Sequence, residues 1–377
     1  MLRVLLAGGG TAGHINPALA IASIIKDHYP DAEFLFAGTP TGMESRLIPK
    51  AGYDFAPIKV SGFQRKLTPK NIVRNVKTVA YLTTAGHRAK QIIDGFKPDL
   101  VIGTGGYVSG PIVLKASQMG IKTAIHEQNA FPGMTTKILA KHVDTIMLTV
   151  EEAAEYLEKD IKYTVTGLPV RKGFSSMTRE EARLALNIPE GNMCILSTGG
   201  SLGAGRINET VAELMEWEVK NSVPVTHIHS YGRMGRDTFL PDLAARGVDY
   251  ENDPKIQAKE YIDNMSVCMA AADLVISRSG ANALSELEAT GRASILIPSP
   301  NVAGNHQYHN AMVLGKAGAA VVIEEKNLTG QVLIDNVNDL CRDKERLDRF
   351  AQRAASLYVP DTPDRVYKAL EELINKQ

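Results

Sequence analysis

The sequence predicts an α/β protein built as two Rossmann-like domains whose parallel sheets face a central cleft. Three observations predict it. At 377 residues the chain exceeds one ordinary core, since domains usually hold roughly 100–200 residues. Short β-rich apolar runs alternate with helical stretches, the pattern of βαβ units. The opening arrangement, a strand that runs into a glycine turn and then an apolar helix, recurs at mid-chain.

Taken in order, the first strand is Leu2–Ala7, followed by Gly8-Gly9-Gly10-Thr11-Ala12-Gly13-His14 and a helix carrying Pro17, Leu19, Ile21, Ile24 and Ile25. Further strands are expected at Glu33–Ala37, Leu100–Gly103, Thr123–His126, Thr145–Leu148 and Tyr163–Thr166. The pattern breaks at Gly167-Leu168-Pro169, a hinge signal. A helix at Arg179–Leu186 then precedes the strand Met193–Ser197, the loop Gly199-Gly200-Ser201-Leu202-Gly203-Ala204 and the helix Ile207–Val219. Strands follow at Val225–Ile228, Leu274–Ile276, Ser294–Ile297 and Ala320–Ile323, and the stretches Gln331–Leu357 and Pro363–Ile374 read as helical.

Hydrophobic content of 44% with 22% charged residues is that of a soluble globular protein. Lys+Arg 42 balances Asp+Glu 42, so attraction to an anionic partner must come from local clusters, and nucleic acid is not indicated. Cys194, Cys268 and Cys341 lack metal-ligand spacing and read as buried apolar groups in a reducing, cytoplasmic setting. There is no secretory signal and no run of the roughly 18–20 apolar residues that a membrane span needs.

The residues 8–13 satisfy Gly-x-Gly-x-x-Gly, which alone also fits a dinucleotide-dependent oxidoreductase. In that class an acidic residue ends the second strand and holds the ribose, whereas here Glu33 begins its strand and Gly38-Thr39 end it. Such glycines can also serve only tight turns and close packing. With a second loop at 199–204 and a third at Gly103-Thr104-Gly105-Gly106-Tyr107, strand ends stripped of side chains imply a ligand. Sugar transfer from a nucleotide diphosphate stabilises its leaving group through a metal on an Asp-x-Asp pair or through helix N-termini and amides. Asp-x-Asp is absent, which favours the metal-free form, with Gly200–Gly203 and the helix start at Ser279–Glu286 facing the phosphates.

Gly-Gly-Gly-Thr-Ala-Gly-His (8–14), Gly-Thr-Gly-Gly-Tyr-Val-Ser-Gly-Pro (103–111), His-Glu-Gln-Asn (126–129), Gly-Leu-Pro-Val-Arg (167–171), Gly-Gly-Ser-Leu-Gly-Ala (199–204), Arg-Ser-Gly-Ala (278–281) and His-Gln-Tyr-His-Asn-Ala (306–311) closely resemble the MurG family of glycosyltransferase family 28. The motifs cover nearly the whole chain in order. The resemblance implies a GT-B fold and inverting, metal-independent transfer of N-acetylglucosamine, with no cofactor required. The donor would be UDP-N-acetylglucosamine, and the acceptor undecaprenyl-pyrophosphoryl-N-acetylmuramoyl-pentapeptide (lipid I). The product would be lipid II of peptidoglycan synthesis, with a β-1,4 linkage. It implies an acceptor- and membrane-binding domain over 1–166, with a last helix about 361–377 packed back on it, and a donor domain over 167–360.

Inversion in one displacement needs a base on the acceptor hydroxyl. His14 fits, set at a helix N-terminus whose positive end favours an uncharged ring, and Glu127 is the second candidate. Thr11, Ala12 and Gly13 complete the loop, which would cradle the acceptor's pyrophosphate. By resemblance the donor phosphates meet Ser201 and the stretch Ala281, Asn282, Ala283, Leu284 and Ser285, with Arg171 as a nearby cation. Glu286 would take the ribose, the Ile262 backbone the uracil, and Gln307 and Asn129 the sugar. Two positions depart from the family pattern: Ala12 replaces a common glycine and His306 a common glutamine.

Between Lys59 and Lys97 the basic residues, among them Arg65, Lys66, Lys70 and Arg74, face a single acid, Asp94. Interleaved apolar residues such as Phe63, Leu67 and Tyr81 make this a candidate surface for the cytoplasmic face of an anionic bilayer. Ile72, Val76 and Val79, at helical spacing, equally fit a helix whose apolar side faces the core. Other cell-wall or division proteins are further partners to expect. The alternatives of similar fold are a diacylglycerol glucosyltransferase and a UDP-N-acetylglucosamine 2-epimerase, the latter needing carboxylates for its acid/base steps.

Overall fold

The computed structural model describes residues 1–60, 84–170, 173–174 and 177–375. They form two compact units, Met1–Pro169 with Asp361–Gln377 and Val170–Pro360.

The first unit begins with β1 (Arg3–Gly8), α1 (Ala12–His28), β2 (Glu33–Gly38), α2 (Glu44–Lys50) and β3 (Asp54–Pro57). It continues with a helix over 84–96 (α3), β4 (Leu100–Gly105), α4 (Ser109–Gln118), β5 (Lys122–Glu127), α5 (Met134–Leu139), β6 (Thr145–Leu148) and β7 (Tyr163–Val165). All pairings are parallel, in the order β3-β2-β1-β4-β5-β6-β7. Strand order reverses at β1, whose carboxyl end meets that of β4; this is the switch point where open α/β sheets bind ligands. Both faces are apolar and covered, which is why β1 and β4 read as continuous hydrophobic runs.

The C-terminal helix α15 (Thr362–Ile374) packs its buried Val366, Leu370 and Leu373 beside Ile21 and Ile25 of α1, and Tyr367 stacks on His28 at 3.5 Å. In the helix over 84–96, Ala85, Ala89, Ile92 and Ile93 join the other face of the core. The rest of the basic stretch, Arg65, Lys66, Lys70 and Arg74 included, lies outside the described residues, as does Arg171.

The second unit repeats the plan with α6 (Arg179–Ala185), β8 (Met193–Thr198), α7 (Gly205–Lys220), β9 (Val225–Ser230), α8 (Gly232–Gly235), α9 (Phe239–Ala245) and β10 (Ile256–Lys259). Then come α10 (Met265–Ala271), β11 (Leu274–Ser277), α11 (Ala281–Thr290), β12 (Ala293–Leu296), α12 (His306–Lys316), β13 (Ala320–Val322), α13 (Gly330–Arg342) and α14 (Lys344–Leu357). The order β10-β9-β8-β11-β12-β13, again parallel, puts the switch point at the ends of β8 and β11.

Three features depart from the sequence expectation. Asp54–Pro57 and Ile256–Lys259 are edge strands; pairing on one side only, they need little of the apolar pattern that marks a central strand. The helical stretch expected over 331–357 divides into two helices, because Asp343 leaves helical geometry and its carboxylate accepts the Arg346 N–H at 2.8 Å, capping α14. The segment Gly167–Pro169 belongs with the first unit: the buried His126 ring, at the end of β5, donates from Nε2 to the Gly167 carbonyl at 3.1 Å.

His126 accepts at Nδ1 from Gln128 Nε2 at 3.1 Å, so its neutral form is fully bonded. Burial lowers its pKa from 6.5 to about 4. The unfolded chain therefore takes up the proton first, and stability is full above pH 6.5 and lost as pH falls from 6.5 toward 4. We predict that His126→Gln removes about 2–3 kcal/mol of the acid-dependent loss of stability between pH 7 and 4.5, read from denaturant unfolding at the two pH values.

Candidate functional site

In the first unit the loops that follow β1, β4 and β5 leave the carboxyl edge of the sheet, and His14 stands in the first turn of α1. Thr11 is the N-cap, with extended backbone and no side-chain cap, so the amides of Ala12 and Gly13 open the helix. The His14 Nδ1 lies 3.0 Å from the Gly9 carbonyl. A carbonyl only accepts, so Nδ1 carries the hydrogen and the neutral ring leaves Nε2 as its lone-pair nitrogen.

The neighbouring loops fix this ring. Thr104 Oγ1, at the end of β4, donates to the His14 carbonyl at 2.8 Å. Gly105, at φ +103°, lies against the imidazole: a Cβ there would sit 2.6 Å from His14 Cδ2 and 3.0 Å from Nε2. Ser109 Oγ donates to the Ala7 carbonyl at 2.6 Å and accepts the Gly105 N–H at 3.0 Å, lacing β1 to β4 at the same level.

Glu44 is the residue that sequence reasoning missed. Fully buried in α2, it accepts from the Gly10 N–H at 3.0 Å, the Thr39 N–H at 2.9 Å and Thr39 Oγ1 at 2.6 Å. Burial acts to raise its pKa, but the hydrogen bonds from Thr39 and Gly10 outweigh burial and hold the carboxyl below its usual value. Its only sequence signal is the crowd of glycines around it: a Cβ on Gly9, Gly38 or Gly42 would meet its side chain at 2.4–2.5 Å.

Glu127, the last residue of β5, is also committed. Its Oε1 accepts from the Asn129 N–H and Asn129 Nδ2, each at 3.0 Å, and its Oε2 from the Gly133 N–H at 3.0 Å and from Thr136 Oγ1. A carboxylate holding these donors ties the loop after β5 to α5.

In the second unit the loop after β8 exposes Ser201 and Leu202. Gly203, at φ +81°, donates its N–H to the Gly200 carbonyl at 2.8 Å, and a Cβ on it would fall 2.2 Å from the Tyr231 carbonyl. The loop thus lies flat on the turn that follows β9. Helices α7 and α11 begin at Ala204 and Gly280 with no side-chain cap, so their first amides are open to an anion. Ala281, Asn282 and Ala283 form the first turn of α11, and Leu284, Ser285 and Glu286 lie buried in the next. Gln307, in the first turn of α12, accepts the Ser299 N–H at Oε1 at 2.9 Å, and its carbonyl accepts from Ser279 Oγ at 2.7 Å. Ile262 is buried between β10 and α10. Arg278 is a clamp: it pairs with Glu325 and donates to the carbonyls of Ile297 and Pro298.

Each unit thus gathers its own share of the expected residues: Thr11, Ala12, Gly13, His14, Glu127 and Asn129 in the first, Ser201, Ile262, Ala281 to Glu286 and Gln307 in the second. We predict that Glu44→Ala, which orphans the Gly10 and Thr39 donors, lowers stability by about 2–4 kcal/mol in denaturant unfolding, whereas an exposed control, Glu345→Ala, changes it by less than about 0.5 kcal/mol.

Residues 4–148 match the glycosyltransferase family 28 N-terminal domain and residues 194–366 the family 28 C-terminal domain. The chain is 43% identical over 376 residues to the UDP-N-acetylglucosamine--N-acetylmuramyl-(pentapeptide) pyrophosphoryl-undecaprenol N-acetylglucosamine transferase of Acetivibrio thermocellus, covering 100% of this chain and 99% of that protein. It is 40% identical to the protein of that name from Desulforamulus reducens, with 100% of each covered. Among solved structures it is similar to the MurG of Acinetobacter baumannii, with a TM-score of 0.78, 26% identity and 100% of both chains covered. The fold alone is shared with a UDP-N-acetylglucosamine 2-epimerase from Listeria monocytogenes, at a TM-score of 0.69 and 15% identity over 100% of this chain and 97% of the other.

Proposed function

The chain belongs to glycosyltransferase family 28 and has its two-domain GT-B fold, and from that premise we propose how its residues divide the work. The protein is the N-acetylglucosaminyltransferase of peptidoglycan synthesis: it moves N-acetylglucosamine from UDP-N-acetylglucosamine to lipid I and forms lipid II.

His14 is the general base. The observation that carries this is the Nδ1 contact with the Gly9 carbonyl, which makes Nε2 the lone-pair nitrogen of the neutral ring, against which Gly105 packs. Nε2 takes the proton of the muramoyl 4-hydroxyl as that oxygen attacks the anomeric carbon; the bond to the UDP oxygen breaks on the opposite face, which inverts the centre and gives the β-1,4 linkage. Glu127 shapes the acceptor loop and does not take the proton, since its carboxylate already receives Asn129, Gly133 and Thr136. The open amides of Ala12 and Gly13 suit the acceptor's pyrophosphate.

In the donor domain the charge released on UDP is met by Ser201 and by the starts of α7 and α11, where amides and helix dipole favour an anion before any reorganisation. Arg171 adds a cation. Glu286 receives the ribose hydroxyls, the Ile262 backbone the uracil, and Gln307 the sugar; with Gln307 Oε1 on Ser299, its amide nitrogen is the donor left to offer. Asn129 contributes from the acceptor side.

No helix among the described residues is long and apolar enough to cross a membrane. The acceptor's undecaprenyl chain nevertheless requires a membrane surface, and the basic residues Arg65, Lys66, Lys70 and Arg74 support peripheral attachment at the cytoplasmic face.

His14→Ala is expected to lower kcat by about 10²–10⁴-fold while UDP affinity, read by calorimetry, stays within about twofold. Turnover within tenfold of the wild type would assign the proton to another group. UDP release from UDP-N-acetylglucosamine is expected only when a lipid I analogue is present; isomerised donor without acceptor would favour the epimerase. Reversing the charges of Arg65, Lys66, Lys70 and Arg74 is expected to release the enzyme from anionic liposomes.

A further inference from the structure

Beneath the donor loop the second unit holds a polar chain that the reaction itself does not use. Glu218, near the end of α7, lies 3.0 and 3.1 Å from His227 Nδ1. His227 Nε2 is 2.7 Å from Ser197 Oγ, which is 2.7 Å from His229 Nδ1. His229 Nε2 is 3.3 Å from Asn208 Oδ1, and Asn208 Nδ2 donates to the Tyr231 carbonyl at 2.9 Å. All of these side chains are buried, Ser197, His227 and His229 completely. The far end is the donor loop's floor, since Gly203 rests on that same Tyr231 carbonyl.

Donor and acceptor counting fixes the direction of the chain. Turning the Asn208 amide over would set its oxygen against the Tyr231 carbonyl, two acceptors at 2.9 Å, so the nitrogen faces Tyr231 and Oδ1 faces His229. His229 Nε2 must then carry a hydrogen. Ser197 has one hydrogen to give to two ring nitrogens, so one ring must donate to it. If His229 donates at both nitrogens it is an imidazolium. If Ser197 instead donates to His229, His227 Nε2 donates to Ser197, and the remaining contact with Glu218 needs a proton as well. Every arrangement that satisfies all the contacts holds one proton beyond two neutral rings and a carboxylate.

That proton belongs at the Glu218 end. The carboxylate touches His227 directly, while burial, and then His227 itself, holds the His229 pKa well below the usual value. Among the described residues, the Cys341 thiol of α13, which burial and then Glu218 push up to about 12, lies near the pair, and the apolar Ile195 and Ile256 flank His227 in the sheet. None of them supplies a competing positive charge.

We propose that Glu218 is a positioning residue for donor binding: its charge retains a buried proton on His227, and the resulting one-way hydrogen-bond chain through Ser197, His229 and Asn208 holds the Tyr231 carbonyl under the phosphate loop. The proposal rests on the reading of Gly200–Gly203 as a donor-phosphate loop.

The test uses the full-length enzyme with [15N]histidine. In the wild type, both ring nitrogens of His227 are expected to be protonated and His229 neutral with hydrogen on Nε2. In Glu218→Gln, His227 becomes a neutral ring and UDP affinity, read by calorimetry, falls about tenfold, with KM for a lipid I analogue unchanged. A wild-type spectrum with both histidines neutral overturns the proposal, whether or not the variant folds. So does Glu218→Gln with wild-type UDP affinity. Asn208→Asp, which sets a carboxylate oxygen against the Tyr231 carbonyl, should weaken UDP to a similar degree. Glu286→Ala tests the donor reading separately: if it too leaves UDP affinity unchanged, the donor reading fails; if it weakens UDP while Glu218→Gln does not, only the positioning role fails.

Discussion

On the proposed mechanism, the hydrogen bond from His14 Nδ1 to the Gly9 carbonyl is the contact on which the first unit's chemistry depends. It selects one tautomer and so decides which nitrogen can act as a base. A carbonyl can do this only if it is itself held still, and the surrounding sequence is organised to hold it. Glu44 anchors the loop through the Gly10 N–H, Thr104 ties the first turn of α1 to β4, and the loop after β4 lies so close that a Cβ on Gly106 would sit 2.4 Å from the Gly9 carbonyl. Burying Glu44 is tolerated because the Gly10 N–H, the Thr39 N–H and Thr39 Oγ1 all donate to it.

The second unit solves a different problem with the same topology. On the proposed reading its ligand carries charge, and the response is backbone: helix starts at Ala204 and Gly280 without side-chain caps, placed at the ends of β8 and β11 where the strand order reverses. A capping serine or aspartate at either place would satisfy the amides internally and remove them from the ligand. The rigidity such a site requires comes from below, through Asn208, His229, Ser197 and His227, which link the turn after β9 to α7 across the sheet.

Much of this was legible in the sequence. The central strands announce themselves as apolar runs, the glycine loops mark strand ends, and His14 stands out as a histidine at a helix start. What the sequence could not show is set by long-range partnership. Glu44 reads as an ordinary helix glutamate until Gly10, 34 positions away, is seen to donate to it. Glu127 sits in a loop motif that suggests catalysis, and its bonds to Asn129, Gly133 and Thr136 are not readable from the motif. The histidines 227 and 229 alternate with apolar residues along β9, and Ser197, 30 positions earlier than His227, is what joins them. The edge strands β3 and β10 lack a signal because half of their surface has nothing to pair with.

The central claim is that His14 works as a base through Nε2 because Gly9 holds Nδ1–H. It is tested most directly by the 15N chemical shifts of the His14 ring in the resting enzyme at neutral pH, assigned by comparison with His14→Ala. A protonated Nδ1 with an unprotonated Nε2 is the predicted result. A ring with its hydrogen on Nε2, or one protonated at both nitrogens, would contradict it.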